Sequence, residues 1–433
     1  TNANAFRRSC RTRMTMEAVK RFKERVFFIP WSFDYRGRAY PIPAFLTPQD
    51  TDFGKSLLNF ANEAPIEGDA AEWLAFQVAT TYGKDKDTWE ERQEWVINNT
   101  TLIARIAEDP IGCLSEWEAA EEPWQFLAAC EEYYNCIIMR RRRYTCLPVA
   151  IDATCSGLQI LAGLASDRST AQLVNVLPSD RPQDAYKAVA ELSKPNIPER
   201  IRPYWDRKAT KRSVMTIPYN AKPFSNRTYI RDALKEKGVE IDQDDLTKTV
   251  KAVRGAMDTI VPGPMAVMKW IEKEVSAIIK AGRKKANVVE LEWTTPSGFV
   301  VTQRLMKRNV QQLRLQLLGE CRINLTTDDD EKVSIVRHKA ATAPNLIHSL
   351  DASLLQMASE EFDAPLATIH DSVLCRATDM TKLSTLVRET YMKLFANKDY
   401  LTDFATAIGA KTAPPIIGDL EPEAVIESTY FFC

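Results

Sequence analysis

The spacing of apolar residues predicts several helices and a few short strands. Apolar positions recur every three to four residues, as in helices with one buried face, in the windows 69–82, 87–107, 124–143, 155–167, 182–194, 205–236 and 343–360. Proline lacks a backbone N–H, so Pro218 and Pro223 must interrupt the helix predicted at 205–236.

Short apolar runs predict the strands. Residues 26–30 and 146–151 each read as one strand, and 366–375 as two strands around a polar turn. Residues 291–318 predict an irregular region of strand and loop. A small sheet among many helices indicates an α+β fold.

Composition excludes several classes of protein. The chain has 433 residues, of which 45% are hydrophobic and 27% charged, the balance of a folded protein rather than a disordered or collagen-like one. It lacks a run of apolar residues long enough to predict a membrane span. The nine scattered cysteines form no CxxC pair, so we expect reduced thiols rather than a zinc site or a disulfide framework.

Because the chain starts at Thr1, we expect a fragment of a longer protein.

The net charge of −1 conceals a segregation of charge along the chain. Residues 1–25 hold eight Lys/Arg and two Glu, and residues 202–235 hold nine Lys/Arg and two Asp. Residues 63–132 instead hold seventeen Asp/Glu and four Lys/Arg. This indicates basic surfaces set against an acidic exterior, although each block alone is also compatible with an ordinary solvated face.

Two aspartates lie next to predicted strands. Asp152 follows an apolar strand, and Asp371 lies in the turn of the 366–375 hairpin. Each has a structural interpretation, since Asp caps helices and stabilises turns. As a pair they could instead bind two hard cations for phosphoryl or nucleotidyl transfer. Spacing alone does not show that they meet.

A basic stripe runs along the helix predicted at 205–236. Arg207, Lys211, Met215 and Tyr219 recur every four residues and so lie on one face, with Arg212 beside them. Two cations suit a triphosphate, and an aromatic ring suits a base. An amphipathic helix with a basic edge explains the same pattern.

Several segments together resemble the single-subunit RNA polymerase family of bacteriophages and mitochondria, from about residue 26 to the C-terminus. The segments are FDYRGRAYP, AEEPWQFLAAC, DATCSGLQ (motif A), RKATKRSVMTIPYN (motif B), APNLIHSLDAS, IHDSV (motif C) and STYFFC. In that family STYFFC corresponds to an aromatic C-terminus that reaches back toward the active site. The resemblance implies a right-hand polymerase fold, with a small antiparallel palm sheet and helical fingers.

The resemblance also implies domain boundaries. The implied parts are the end of the thumb or a linker (1–25), the palm (26–65, 144–165 and 349–433), a palm insertion (66–143) and the fingers (166–348). An N-terminal domain and most of the thumb would lie outside this chain.

Roles for individual residues follow from the matched motifs. The resemblance implies that Asp152 and Asp371 bind two catalytic Mg²⁺ ions, with Lys211 and Tyr219 completing the catalytic set. It implies that the incoming nucleotide is bound by Arg207, Lys211, Arg212, Met215, Tyr219 and His348. His348 would lie near the 2′-hydroxyl, and Tyr219 would take part in selecting ribose.

Nucleic-acid contacts are implied at two places. Arg36 and Arg38 match a motif near the template–transcript duplex. Residues 309–324 fall where the family has its promoter-specificity loop, and the candidates for base-edge contacts are Gln312, Arg314, Arg322 and Asn324. Solvated polar residues on a hairpin are an equally good interpretation of these four.

The implied function is that of a DNA-directed RNA polymerase, which transfers ribonucleotides from NTPs to a growing RNA 3′ end on a template. The implied partners are a double-stranded promoter, the template strand, nascent RNA and NTPs, without a membrane. We expect a monomer in the cytoplasm of an infected bacterial host, with the mitochondrial matrix as the alternative.

The chain departs from the family pattern at a few positions. Ala153 and Asn220 stand where glycine is usual, Ile160 where histidine is usual and Asn226 where an aromatic is usual. None of these changes removes a predicted metal ligand or triphosphate contact, so we expect an active enzyme.

Three other functions stay open on the sequence. A related DNA polymerase would share both aspartates, although HDS in motif C and Met215 in motif B favour the RNA enzyme. A non-catalytic nucleic-acid-binding fragment and a metal-dependent nuclease are the others, and the nuclease would not need the basic stripe.

Overall fold

The computed structural model describes residues 2–284, 290–316, 321–396, 400–416 and 418–433. Its α-helices are, in chain order, α1 (Asn2–Phe22), α2 (Asp52–Ser56), α3 (Ala70–Tyr82), α4 (Trp89–Asn98), α5 (Thr100–Glu108), α6 (Leu114–Trp117), α7 (Pro123–Tyr133), α8 (Ser156–Ala165), α9 (Arg168–Leu173), α10 (Ala185–Ser193), α11 (Arg207–Thr216), α12 (Pro223–Glu236), α13 (Gln243–Ile260), α14 (Pro262–Lys284), α15 (Ile335–Glu361), α16 (Met380–Ala396) and α17 (Tyr400–Ile408). A π-helical turn (Tyr134–Ile138) follows α7, and short 3₁₀ helices occupy Lys194–Asn196, Glu199–Tyr204, Ala377–Asp379 and Pro422–Glu427.

The strands form small antiparallel sheets. They are β1 (Trp31–Phe33), β2 (Ala39–Pro41), β3 (Ala64–Pro65), β4 (Tyr144–Thr145), β5 (Pro148–Asp152), β6 (Leu291–Thr294), β7 (Val300–Gln303), β8 (Met306–Leu315), β9 (Cys321–Val333), β10 (Ala367–Ile369) and β11 (Ser372–Arg376). The order β10–β11–β5 makes one three-stranded sheet, and the other pairs are β1–β2, β3–β4, β6–β7 and β8–β9. Many helices around small sheets confirm the α+β class.

The sequence located most elements near the site correctly. The hairpin predicted at 366–375 is β10 and β11, and the strand predicted at 146–151 is β5. The helix predicted at 205–236 divides into α11 and α12, with Pro218 in the intervening turn. These matches follow from strong local signals, namely apolar runs and proline.

Other element predictions were wrong in detail. Residues 26–30 form no strand; the strand begins at Trp31, because the Asp34 carboxylate accepts the backbone N–H groups of Arg36 and Arg38 and centres the hairpin there. The helix predicted at 87–107 is broken at Asn99, whose side chain donates to the Trp95 carbonyl and competes with the helical backbone.

The remaining errors concern where elements end. The helix predicted at 124–143 ends before the arginine run, because α7 widens into the π-helical turn and Arg140 adopts φ +52. The helix predicted at 343–360 begins at Ile335, where Ser334 caps it. Within the region predicted as irregular strand and loop, residues 308–315 form one continuous strand, because each of them pairs with β9, and the irregularity is confined to the stretch between Met306 and Arg308.

Buried side chains form a main core and a smaller one. The main core holds β5 and β11 between helices, with Val149, Ile151 and Val373 at most 1% exposed. The smaller core lies among α3, α4, α5 and α7. Burial of β5 up to Ile151 leaves Asp152 as the polar end of a fixed strand. Among the described helices, none is both long and apolar enough to cross a membrane.

Candidate active site

Asp152 lies at the end of β5, and Asp371 lies in the turn that directly precedes the neighbouring strand β11. Asp152 ends β5 and pairs in register with Ser372, the residue after Asp371. The backbone carbonyl of Asp371 accepts the Ala153 N–H at 3.2 Å. The structure therefore brings together two acids that are more than two hundred positions apart in the sequence.

The two carboxylates form a concentrated negative site. Although Asp152 is exposed to solvent, protein surrounds its carboxyl closely enough that desolvation, followed by the charge of Asp371, raises its pKa to about 7. A bound cation would remove this repulsion. No group of three or more His, Cys, Asp or Glu side chains placed for a metal occurs in the described part of the chain. Two carboxylates fit Mg²⁺, which usually takes one or two carboxylates together with substrate phosphates.

Ser156 is a site residue that sequence reasoning missed. It is the first residue of α8, and its hydroxyl donates to Oδ2 of Asp371 at 2.7 Å. The positive end of the α8 dipole also favours a carboxylate at this point. Ser156 Oγ lies 3.4 Å from the Tyr219 hydroxyl, so it connects the acid to the turn after α11. Its place in motif A was the available signal.

The basic stripe continues to Tyr219 although α11 is assigned only to Thr216. The Ala221 N–H donates to the Thr216 carbonyl and the Asn220 N–H to the Ile217 carbonyl, which is the Schellman C-cap. Asn220 takes the left-handed position with φ +63. Tyr219 therefore lies in the hydrogen-bonded turn that directly follows α11.

The cations of the stripe differ in their surroundings. Arg207 forms an ion pair with Asp184, and its guanidinium lies 5.4 Å from the Tyr186 ring centre. Lys211 is exposed, and no ion pair among the described residues includes it. Met215 is 43% exposed. The free ammonium is thus Lys211, one turn along the helix from Arg207.

Arg212 lies off this stripe. Its guanidinium lies 4.4 Å from the ring centre of Tyr229 on α12, which directs it to the neighbouring helix. A role for Arg212 in binding nucleotide therefore stays a prediction, and its contact with Tyr229 does not support that role.

His348 on α15 packs beside Tyr219, with ring centres 4.8 Å apart. Desolvation and the charges of Arg38 and Arg36 lower the pKa of His348 to about 2, so the ring is neutral. Its Nδ1 lies 2.5 Å from Nη1 of Arg36. Because arginine only donates, Nδ1 accepts and the ring proton must be on Nε2. The Nε2–H remains a donor beside Tyr219.

Arg36 and Arg38 are both engaged within the protein. Arg36 donates to the Asp34 carboxylate at 2.9 and 2.5 Å. Arg38 forms a buried ion pair with Asp351, a residue that the sequence analysis missed because it lies 313 positions away. Desolvation raises the pKa of Asp351 to about 7, although Arg38 opposes this shift. Their contact with nucleic acid stays a prediction.

His370 precedes Asp371 in the β10–β11 turn. It has φ +56, and its ring lies 4.9 Å from the Tyr40 ring in an edge-on arrangement. Its buried Nδ1 has no hydrogen-bond partner among the described residues. This strained backbone fixes the turn from which Asp371 projects.

The C-terminal residues lie against motif A. Cys433 and Asp152 exchange backbone hydrogen bonds of 3.0 and 3.4 Å, and Phe432 bridges to Ala153. Gln159 donates to the Phe431 carbonyl at 2.9 Å. The C-terminal segment thus extends the sheet beside Asp152.

The four predicted base-contacting residues lie on the β8–β9 ribbon. Gln312 pairs with Asn324 and Arg314 with Arg322. Directly opposite residues of an antiparallel pair share a face, and alternation places all four on the same face. All four are exposed. The loop tip at 317–320, part of the predicted specificity segment, is outside the described residues.

Comparison with known proteins assigns the family. The model of the DNA-dependent RNA polymerase family matches residues 64–417. The chain is 30% identical over 486 residues to DNA-directed RNA polymerase of Enterobacteria phage T3, which covers 97% of the chain and 54% of that protein. It is 29% identical over 493 residues to the K11 phage enzyme, covering 98% of the chain and 54% of that protein.

A plant relative matches equally well. DNA-directed RNA polymerase 3, chloroplastic, from Nicotiana sylvestris is 29% identical over 467 residues, covering 100% of the chain and 46% of that protein. The chain spans about half the length of these curated relatives. Since the family model covers most of the sequence, the chain belongs to the DNA-dependent RNA polymerase family.

Proposed function

We propose that this chain carries the catalytic centre of a DNA-directed RNA polymerase, which adds ribonucleotides from NTPs to the 3′ end of RNA on a DNA template. The observation that carries this proposal is the contact series from Asp371 through Ser156 to Tyr219. It connects a two-aspartate site to the end of a helix that bears Arg207 and Lys211. A nuclease would need the acids but not this helix.

The fold supports a right-hand arrangement. The β10–β11–β5 sheet would belong to the palm, and residues 166–348, which include α11, would form the fingers. The smaller core among α3, α4, α5 and α7 is consistent with an insertion at 66–143. Residues 1–25 would belong to the end of the thumb.

Asp152 and Asp371 would hold two Mg²⁺ ions, which would supply charge to activate a 3′-hydroxyl and to stabilise a pyrophosphate leaving group. The residues of the chain supply position and charge. Ser156 holds the Asp371 carboxylate in one orientation by donating to Oδ2. Burial of the preceding strand residues keeps Asp152 at a fixed distance from Asp371.

Lys211 and Arg207 would bind the triphosphate. Lys211 supplies an unpaired charge, which suits phosphate oxygens whose position changes during the reaction. Arg207 would have to exchange Asp184 for phosphate or share it. Lys211 is therefore the better candidate for the direct contact, with Met215 beside it.

Tyr219 and His348 would select the sugar. The neutral His348 ring offers its Nε2–H beside the Tyr219 ring, and Arg36 fixes this tautomer by donating to Nδ1. A donor held in one place can bind a ribose 2′-hydroxyl that deoxyribose lacks. Arg36 would then act mainly through His348.

The β8–β9 ribbon would contact promoter DNA. A two-stranded ribbon fits the major groove of B-DNA. Its exposed polar face presents Gln312, Arg314, Arg322 and Asn324 together. Arg314 and Arg322 lie directly opposite each other, which concentrates positive charge toward a polyanion.

We propose that the protein acts as a monomer on a promoter, the template strand and nascent RNA. Relatives from phages favour the cytoplasm of an infected bacterium, and organellar relatives keep the mitochondrial matrix as the alternative.

The test is extension of an RNA primer annealed to a DNA template, with Mg²⁺ and all four ribonucleotides. It should be run on this chain and on the longest form encoded by its source. We expect template-dependent extension that EDTA abolishes. Preferred use of deoxyribonucleotides would indicate the DNA polymerase alternative. Salt-sensitive template binding without extension in either form would indicate a non-catalytic binding protein.

A further inference from the structure

The turn between α11 and α12 contains one residue whose side chain bonds to a distant helix. Asn220 occupies the left-handed cap position with φ +63, a conformation that Asn reaches more readily than most residues. Its Nδ2 donates to the carbonyls of Lys339 and Ala340 on α15, both at 3.1 Å. The cap of one helix is thereby fixed to the backbone of another.

The α15 carbonyl that Asn220 reaches is one that the helix cannot satisfy. Pro344 lies inside α15, and proline has no N–H to donate to the carbonyl four residues earlier. That carbonyl belongs to Ala340. Asn220 therefore replaces the missing helical hydrogen bond, which gives the contact a physical reason beyond proximity.

Neighbouring charges hold the same turn. The ammonium of Lys222 lies 2.6 Å from Oδ1 of Asn220 and also pairs with Glu272 on α14. Glu272 lies 3.6 Å from Lys339. Because Lys222 occupies the amide oxygen, the Nδ2 group is directed at the α15 carbonyls.

The two ends of this connection lie next to the residues assigned to the sugar. Tyr219 directly precedes Asn220, and His348 lies one turn beyond Pro344 on α15. Their rings are 4.8 Å apart. A shift of α11 relative to α15 would change this contact first.

We propose that Asn220 is a positioning residue that holds Tyr219 against His348 and so sharpens discrimination between ribo- and deoxyribonucleotides. This inference rests on the proposed polymerase function. In the family pattern that motif B resembles, this position is glycine, which has no side chain. The hydrogen bonds from position 220 to α15 therefore depend on the asparagine of this sequence.

Two substitutions isolate the amide group. Asn220→Asp keeps the size, the tolerance of positive φ and the contact with Lys222, but it replaces the N–H donor by a carboxylate oxygen, which Glu272 and the α15 carbonyls repel. Asn220→Gly also tolerates positive φ and removes the side chain. Both variants should therefore retain the turn while losing the bonds to Lys339 and Ala340. Lys235→Met, at an exposed lysine of α12 that forms no ion pair among the described residues, serves as the control.

The measurement is the ratio of kcat/KM for ribonucleotide and deoxyribonucleotide in primer extension. Loss of about one hydrogen bond should reduce this ratio roughly 3- to 10-fold in both Asn220 variants, mainly through KM. Lys235→Met should leave the ratio unchanged. Tyr219→Phe provides the reference for direct loss of selectivity.

Hydrogen exchange of the α15 amides from Asn345 to Leu350 gives a readout without activity. We expect faster exchange in both Asn220 variants. Faster exchange with an unchanged kcat/KM ratio would show that the contact is purely structural and would overturn the proposal. Unchanged exchange in both variants would also overturn it, because the contact would then not hold α15. A wild-type protein that extends no primer would end the proposed function as well, whereas active protein with an unaltered ratio would end only the role of Asn220.

Discussion

The two-aspartate sheet and the β8–β9 ribbon are built on opposite principles. In the sheet, strands β5 and β11 lie in the main core, and Ser156 at the start of α8 holds the Asp371 carboxylate by a hydrogen bond. In the ribbon, side chains on both faces are exposed, including Leu313 and Leu325 at 44% and 48%. Side chains of the two-aspartate sheet are therefore held in place by packing, whereas those of the β8–β9 ribbon are free to change conformation.

This difference fits the tasks we propose for the two regions. Nucleotidyl transfer needs charges fixed within a fraction of an ångström, so its groups belong on packed strands. Reading base edges needs side chains that reach outward and adapt to a groove. Substitutions should accordingly have large general effects in the sheet and small selective effects in the ribbon.

The largest effect is expected from Asp371→Asn. Loss of one charge from the metal pair should reduce primer extension more than the roughly 10²–10³-fold typical of removing a single electrostatic contact. Template binding should survive. Asp363→Asn, at an exposed carboxylate before β10, is the matched control. Near wild-type extension by Asp371→Asn would contradict the metal assignment.

A large loss of stability is expected from Asp351→Ala. The side chains of Arg38 and Asp351 are only 11% and 3% exposed, so the change leaves an unpaired buried charge. Such losses cost about 3–5 kcal/mol of unfolding free energy. Denaturant unfolding measures it, and Arg38→Met combined with Asp351→Leu should recover most of it. A single variant as stable as wild type would show that the pair does not hold the site.

A moderate effect is expected from Lys211→Ala. Removing the free ammonium should raise KM for the nucleotide about 10-fold or more, because a charged hydrogen bond is worth about 1.5–3 kcal/mol. Saturation curves in primer extension measure this. Lys208→Ala removes the neighbouring exposed lysine of α11 and should leave KM unchanged. Equal behaviour of the two variants would remove Lys211 from the triphosphate site.

The smallest and most selective effect is expected in the ribbon. Gln312→Ala should reduce initiation at the cognate promoter roughly 5-fold, the lower end of the about 1–3 kcal/mol that a well-placed base contact is worth. Extension of an annealed primer should not change. Gln311→Ala is the matched control, because it lies on the opposite face of the same strand. If both variants behave alike on promoter DNA, the polar face does not read it.

The sequence predicted the local parts of the site and not the connections between them. The strands that carry Asp152 and Asp371 and the helix that carries Lys211 follow from apolar runs and periodicity. The pairing of Ser372 with Asp152 does not, because register is set by tertiary packing. The same holds for Arg38 with Asp351 and for Asn220 with the Ala340 carbonyl, whose partners lie far along the chain.

Some local features also escaped prediction. The π-helical turn after α7 and the φ of +52 at Arg140 leave no mark on apolar spacing. Ser156 was visible in motif A, but a serine at a helix start has an ordinary capping explanation. Its role became apparent only when the structure placed its hydroxyl on Asp371.

At the base of the ribbon, between Met306 and Arg308, the register in which β8 pairs with β9 shifts. Because side chains alternate between the two faces of a strand, this register decides which residues of β8 lie on each face of the ribbon. Deleting one residue just beyond it would place Leu313 where Gln312 now lies, so the polar face proposed to contact DNA would become apolar at that position. If the ribbon contacts promoter DNA as we propose, the loss or gain of a single codon would change its promoter preference without any new amino-acid type.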